Sequence, residues 1–172
     1  LNTQLGACAG IVGWMLVELL KTGRPSALGL ASGAIAGLVG ITPACAYVGP
    51  GGALAIGLLS GVLCYLAVTS LKQRLGYDDS LDVFGLHGVG GVVGAILTGV
   101  FCVPALGGYV EGSEIIPQVW AQLKSVLFTF VYCFAVSWVL LKLVDKLVGL
   151  RVDEQSEDIG LDLAEHNETA YN

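Results

Sequence analysis

The sequence predicts an all-α membrane protein, a polytopic bundle of helices, and three observations support this fold class. First, 55% of the residues are hydrophobic, 13% are charged and the mean hydropathy is +0.77, whereas soluble domains carry about 25% charged residues. Second, no charged residue occurs from Pro25 to Leu71. Third, most of the 25 glycines lie inside apolar segments. We therefore expect lipid to be the main solvent of this chain.

Five membrane spans are expected from the apolar segments and the residues that interrupt them. A helix needs about 20 apolar residues to cross the hydrocarbon core, so the uncharged segment holds two spans, divided at Pro43 and the turn 49–52. The five expected spans cover residues 1–20, 26–46, 51–71, 81–103 and 118–148. They form one bundle over residues 1–148, and residues 149–172 form a tail. The last span exceeds the bilayer core, so it should tilt or project into water.

The basic residues predict how the bundle is oriented. Seven of the eight fall at one side of the expected spans: Lys21, Arg24, Lys72, Arg74, Lys142, Lys146 and Arg151. Cytoplasmic loops carry an excess of Lys and Arg, so this side and the tail should be cytoplasmic and the N-terminus outside. Half of the 14 acidic residues lie in the tail. We expect the tail to dock on a basic cytoplasmic face, partly on a neighbouring subunit.

Pairs of small residues predict that the helices pack closely. Glycines recur four positions apart in four of the expected spans: Gly6 and Gly10, Gly33 and Gly37, Gly57 and Gly61, Gly90 and Gly94. In lipid such pairs let helix backbones approach one another. The sequence therefore indicates a bundle rather than separate membrane anchors.

The candidate functional residue is His87, in the fourth expected span. Asp79 and Asp82 lie at the expected helix start, where they can cap free N–H groups or form salt bridges. His87 follows Asp79 by eight residues, about 12 Å along a helix, and should lie inside the hydrocarbon. Gly90 and Gly94 follow at helical spacing on the same expected face.

Two interpretations of His87 stay open on the residues alone. Ionisable side chains within a membrane are costly and usually mark a functional site, which favours a pore or proton-relay histidine. The alternative is a structural histidine that is hydrogen-bonded to a neighbouring helix. The sequence holds no Ser-His-Asp set, metal-ligand spacing or phosphate loop, so we expect no enzyme, metal or cofactor, and no basic patch suggests nucleic acid.

Four stretches of the sequence resemble the ammonium transporter family, the Amt/Mep/Rh group. They are DDSLDVFGLHGVGGVVGAILTG at 78–99, GRPS…SGAIAGLVGITPA…VGPGGAL at 23–54, GGYVEG at 107–112 and GLRV…GLDL-EH--TAY at 149–171. The resemblance covers essentially the whole chain. It implies the closing part of such a protein, from about its seventh to its eleventh helix, so we expect the chain to be a piece of a longer polypeptide.

The resemblance also implies an architecture and residue roles. The family fold has eleven helices, the first ten related as inverted five-helix repeats, and it forms homotrimers with one pore per subunit. His87 matches the second of two pore histidines, Val83 an apolar pore-wall position, and Thr42 a position near the outer end of the pore. Asp79 and Asp82 match acidic residues that precede the second histidine.

The function that the resemblance implies is ammonium transport across a cell membrane, plasma or inner. Ammonium would lose a proton, ammonia would pass, and the pore histidine would assist. The implied partners are ammonium or ammonia, the lipid bilayer and a cytoplasmic regulatory protein of the PII type. The alternative is an ammonium-sensing receptor that is coupled to a signalling domain.

Overall fold

The protein is helical in the computed structural model, which describes residues 1–169 and contains no strand within that range. The chain divides into two compact units, residues 1–127 and the residues from Phe128 onward. The helices are α1 (Asn2–Thr22), α2 (Ala27–Ile41), α3 (Pro50–Leu75), α4 (Phe84–Phe101), α5 (Ile115–Leu147), α6 (Glu154–Ile159) and α7 (Leu161–His166). Among the described residues, α1, α3, α4 and α5 are long and apolar enough to cross a membrane.

Helix α2 is apolar but has only 15 residues. It begins after Ser26, whose hydroxyl oxygen accepts the N–H of Gly29 at 2.9 Å, the usual role of a serine N-cap. It ends at Ile41 because Pro43, two residues later, has no N–H with which to continue the helical hydrogen bonds. Turns follow up to the start of α3. The expected end of this span at residue 46 was therefore wrong.

Helix α1 packs against α2 and α3 through glycines. A Cβ atom on Gly10 would overlap the carbonyl oxygen of Gly33 on α2, and one on Gly37 of α2 would overlap the carbonyl oxygen of Gly6. A Cβ atom on Gly57 or Gly61 of α3 would overlap the carbonyl oxygen of Gly6 or Gly10, respectively. The order of these pairs shows that α1 runs antiparallel to α2 and parallel to α3. Close helix packing at these glycines is confirmed.

Helix α4 completes the packing of the first unit. A Cβ atom on Gly94 would overlap the carbonyl oxygen of Gly40, and one on Gly90 would lie 3.2 Å from Cys64 Sγ and from Val39 Cγ1. Two groups of buried side chains lie between the helices. One comprises Trp14, Ala36, Cys64, Tyr65 and Leu86, and the other Ile41, Ala44, Val48, Ala53 and Ile56.

The start of α4 differs from the sequence-based expectation. The expected span began at residue 81, but Asp82 has a φ of 56°, in the left-handed region, and the helix begins only at Phe84. His87 is therefore the fourth residue of α4, about 4.5 Å along the axis from its first residue. The expected 12 Å of helix before His87 was wrong.

The second unit, over its described residues, contains the end of α5 and the helices α6 and α7. The carboxylate of Asp153 accepts the backbone N–H of Ser156 at 3.0 Å, and this bond holds the Asp153 pKa below its usual value. The Arg151 guanidinium pairs with Glu157 at 2.7 Å and lowers the pKa of that carboxyl. Four large apolar side chains of the described tail are exposed: Leu150, Ile159, Leu161 and Leu163.

Candidate functional site

His87 lies in a π-helical turn that opens α4. The turn covers Phe84–Gly88, and the N–H of Val89 donates to the carbonyl of Phe84, five residues back. Single π turns inside α-helices are rare and are frequently found at functional sites. This turn could not be predicted from the sequence, because no residue pattern distinguishes it from an ordinary helical turn.

The two sides of this turn have different surroundings. Gly85 and Leu86 face the other helices: a Cβ atom on Gly85 would lie 2.7 Å from Val68 Cγ2, and Leu86 is buried. Val83 and His87 are both exposed. These two sequence-predicted pore residues are therefore both on the exposed surface of the first unit.

The glycines that follow His87 do not share its face. Gly90 and Gly94 are buried between helices, whereas His87 is exposed. The shared face was expected from α-helical spacing, and a π turn takes more residues per turn than an α turn. That prediction was wrong, and these two glycines serve helix packing.

The His87 ring makes no hydrogen bond with another side chain or backbone group within residues 1–169, and it is exposed. The described bundle therefore does not hold it as a structural histidine. Imidazole can accept and donate a proton near neutral pH. This surface thus carries an imidazole on a helix, Phe84–Phe101, whose sequence contains no Asp, Glu, Lys or Arg.

The two aspartates near the start of α4 have separate partners. The Asp79 carboxylate accepts the N–H of Val83 through Oδ1 and the N–H of Phe84 through Oδ2, both at 2.9 Å. Asp82 Oδ1 lies 2.7 Å from Lys72 Nζ in a salt bridge. Asp79 is therefore a helix cap and Asp82 a salt-bridge partner, within the roles that the sequence predicted.

Sequence reasoning missed Lys72 as part of this site. Its ammonium group donates both to the Asp82 carboxylate and to the backbone carbonyl of Asp79. The available signal was a lysine at the end of one apolar helix and two aspartates shortly before the next. The distribution of basic residues, to which Lys72 belongs, predicts the orientation of the bundle and a basic face for the tail, but not these contacts.

Thr42 lies at a different level of the first unit from His87. It is exposed, follows the last residue of α2, and donates its hydroxyl to the Leu38 carbonyl at 2.7 Å. Gly94, seven residues after His87, contacts Gly40, two residues before Thr42. Seven helical residues span about 10 Å, so the structure does not bring Thr42 next to His87.

A helical chain with several helices of membrane-spanning length, packed through glycines, defines a polytopic membrane protein. The family model described as "Ammonium Transporter Family" matches residues 1–171. This chain belongs to the ammonium transporter family.

Individual members of the family are similar to this chain in sequence and in structure. An alignment of 175 positions with the "Putative ammonium transporter" of Methanothermobacter thermautotrophicus is 47% identical and covers 98% of this chain and 42% of the relative. The "Ammonium transporter" of Bacillus subtilis is 44% identical over 176 positions, with 99% and 43% covered. A solved structure, "Sensor Amt Protein", has a TM-score of 0.85 at 30% identity and covers 95% of this chain and 40% of that one. The chain thus spans less than half the length of these relatives.

Proposed function

We propose that this chain is the closing part of a transporter that moves ammonium across a cell membrane, and that His87 lines its pore. One observation carries the proposal. His87 is an exposed imidazole without a hydrogen-bond partner in the described residues, on an otherwise uncharged helix of a chain from this family. The relatives named above are ammonium transporters by name, which supports transport as the activity.

The proposed mechanism follows from the cost of charge in an apolar pore. Moving an intact ammonium ion out of water costs far more than a few kcal/mol. Potassium carries the same charge but has no proton to lose, so a pore that admits only neutral ammonia excludes it. His87 would accept or relay the released proton without keeping a permanent charge. Val83, on the same surface, would keep the wall apolar.

The remaining parts of the proposal rest on the resemblance. The rest of the polypeptide would supply the opposite pore wall and a second histidine, and three subunits would assemble. Thr42 would lie near the outer end of the pore, consistent with its separation from His87 along α2 and α4. The basic end of the first unit and the tail would be cytoplasmic, where a PII-type protein could bind.

An ammonium-sensing receptor is the second candidate function. The observation that favours it is the structural similarity to the "Sensor Amt Protein", with a TM-score of 0.85. A receptor of this kind would use the same fold and would carry a signalling domain after the tail. The complete reading frame and a flux measurement separate the two candidates.

The test uses the complete polypeptide that contains this chain, reconstituted in vesicles. The fluxes of ammonium nitrogen and of potassium are measured for the native protein and for His87→Asp, with methods that detect uncharged ammonia as well as ions. A fixed carboxylate lowers the cost of a permanent cation, so we expect His87→Asp to admit potassium, whereas the native protein carries ammonium alone. The matched control is His166→Asp, which makes the same change on α7.

The control should keep the native preference for ammonium. Unchanged discrimination in His87→Asp would contradict a pore position for this residue. A native protein that binds ammonium without any flux of ammonium or ammonia would favour the receptor.

A further inference from the structure

The turn that leads into α4 is attached to the end of α3 by one side chain. Lys72 Nζ lies 2.7 Å from Asp82 Oδ1 and also donates to the carbonyl oxygen of Asp79. Lys72 is in the last turn of α3, and both acceptors lie in the segment between α3 and α4. This residue therefore contacts the segment at two points, three residues apart.

The same segment fixes where α4 begins. The Asp79 carboxylate holds the first free N–H groups, those of Val83 and Phe84. Asp82 adopts a left-handed backbone conformation that a helix does not continue through. The Lys72 contacts thus hold both the residue that caps the helix and the residue that interrupts it.

The π turn that carries His87 lies between two restraints. On its C-terminal side, Gly90 and Gly94 pack against α3 and α2. On its N-terminal side are the Asp79 cap and the edge-to-face contact between the Tyr77 and Phe84 rings, whose centroids are 5.7 Å apart. If the N-terminal restraint is released, the turn can relax to an ordinary α turn. His87 would then rotate relative to the buried Gly85 and Leu86.

We infer that Lys72 is a positioning residue for His87: it holds the segment 79–82 and thereby maintains the π turn that directs the imidazole to the exposed surface. Lys72 acts through backbone geometry and does not contact the transported species. The inference rests on the proposed function, because the importance of the ring's direction follows from proton exchange at His87. A displacement of about 1 Å in a reacting group can lower a rate up to about a hundredfold.

The experiment compares three variants of the complete reconstituted polypeptide. Lys72→Met removes the charge and both contacts, and Lys72→Arg keeps a donor that can pair with Asp82. Lys124→Met makes the same substitution at an exposed lysine of α5 that has no ion pair among the described residues. Two quantities are measured for each: hydrogen exchange at the amides of residues 84–89, and ammonium and potassium flux per assembled protein as a function of pH.

We expect Lys72→Met to increase exchange at residues 84–89, to lower ammonium flux roughly tenfold and to shift its pH profile. Lys72→Arg should recover most of the native behaviour, and Lys124→Met should match the native protein. A lysine that only stabilised the bundle would lower the amount of assembled protein but leave the pH profile and the preference for ammonium intact, and that result would overturn the inference.

Failure of this inference can be distinguished from failure of the proposed function. If the native protein carries ammonium and Lys72→Met matches it in exchange and pH profile, the positioning role is wrong and the transport function stands. If the native protein carries no ammonium, the proposed function fails. In that case, hydrogen exchange at residues 84–89 still tests whether Lys72 maintains the π turn. Faster exchange in Lys72→Met would support this structural role, and unchanged exchange would reject it as well.

Discussion

At the scale of single residues, Asp79 and Asp82 are three positions apart and do different things. Asp79 binds two backbone N–H groups at 2.9 Å, while Asp82 pairs with Lys72 at 2.7 Å. The hydrogen bonds of Asp79 and the salt bridge of Asp82 already engage both carboxylates. We therefore assign neither of them to ligand binding. Both therefore belong to the support of α4.

We predict that Asp79→Asn lowers the yield of folded protein more than it changes ammonium affinity. Asparagine keeps one acceptor oxygen but loses the charge, and charge-assisted hydrogen bonds are roughly twice as strong as neutral ones. A helix cap contributes about 1 kcal/mol. The measurement is detergent-resistant assembled protein together with the ammonium concentration at half-maximal flux.

Asp78→Asn is the matched control for this prediction. Asp78 is the adjacent residue, is exposed and makes no side-chain hydrogen bond in the described chain. Its substitution should leave the yield unchanged. Native yield with a large affinity change in Asp79→Asn would instead assign Asp79 to substrate binding.

At the scale of helices, contact between α4 and α2 depends on the absence of a side chain at Gly94. A Cβ atom there would overlap the Gly40 carbonyl oxygen, which belongs to the backbone and cannot rotate away. A Cβ atom on Gly91, one turn away on the same helix, would meet nothing within 4 Å. Alanine substitutions at these two glycines can therefore distinguish the effect of helix packing on stability from the effect of helix propensity.

We predict that Gly94→Ala destabilises the protein and that Gly91→Ala does not. Overpacking costs about 1–3 kcal/mol, so Gly94→Ala should lower the unfolding temperature. Alanine is favoured over glycine in helices by about 1 kcal/mol, so Gly91→Ala should leave that temperature unchanged or raise it. Thermal unfolding in detergent measures both. Equal effects of the two substitutions on the unfolding temperature would contradict the importance of the close contact between α4 and α2 at Gly94.

At the scale of the whole molecule, the tail contains two short helices, α6 and α7. The Asp153 cap and the Arg151–Glu157 pair stabilise the first of them, α6. Its apolar side chains Ile159, Leu161 and Leu163 remain exposed. Tyr171 belongs to the same segment for which we predict docking, and it lies outside the described residues. Docking of the tail on a neighbouring subunit stays a prediction.

We predict that deleting residues 151–172 reduces ammonium flux and leaves the membrane bundle assembled. Docking would couple the state of one pore to the next, and the deletion removes both the charge that guides the tail and the apolar residues that hold it. The double substitution Leu161→Ser and Leu163→Ser keeps the length and charge of the tail and should reduce flux as well. Equal flux in vesicles with truncated and intact protein would make the tail a passive end.

The sequence by itself determined the fold class, because composition and glycine spacing depend only on the lipid environment and on helical geometry. It also determined the family, since the motifs around His87 are specific to it, and the roles open to Asp79 and Asp82. The ends of the helices were harder to predict from the sequence. Pro43 and Asp82 interrupt the helical conformation through local backbone geometry. The residue at which the helix then ends or begins depends on the neighbouring turns.

Only the tertiary structure decided the direction of His87, because that direction depends on a π turn. The turn exists where Gly85 and Leu86 pack against α3 and Lys72 holds the preceding segment. These contacts join residues from different helices, and α-helical spacing alone placed His87 on the face of Gly90 and Gly94. The residues of the candidate site could thus be chosen from the sequence, but their arrangement depended on packing between helices.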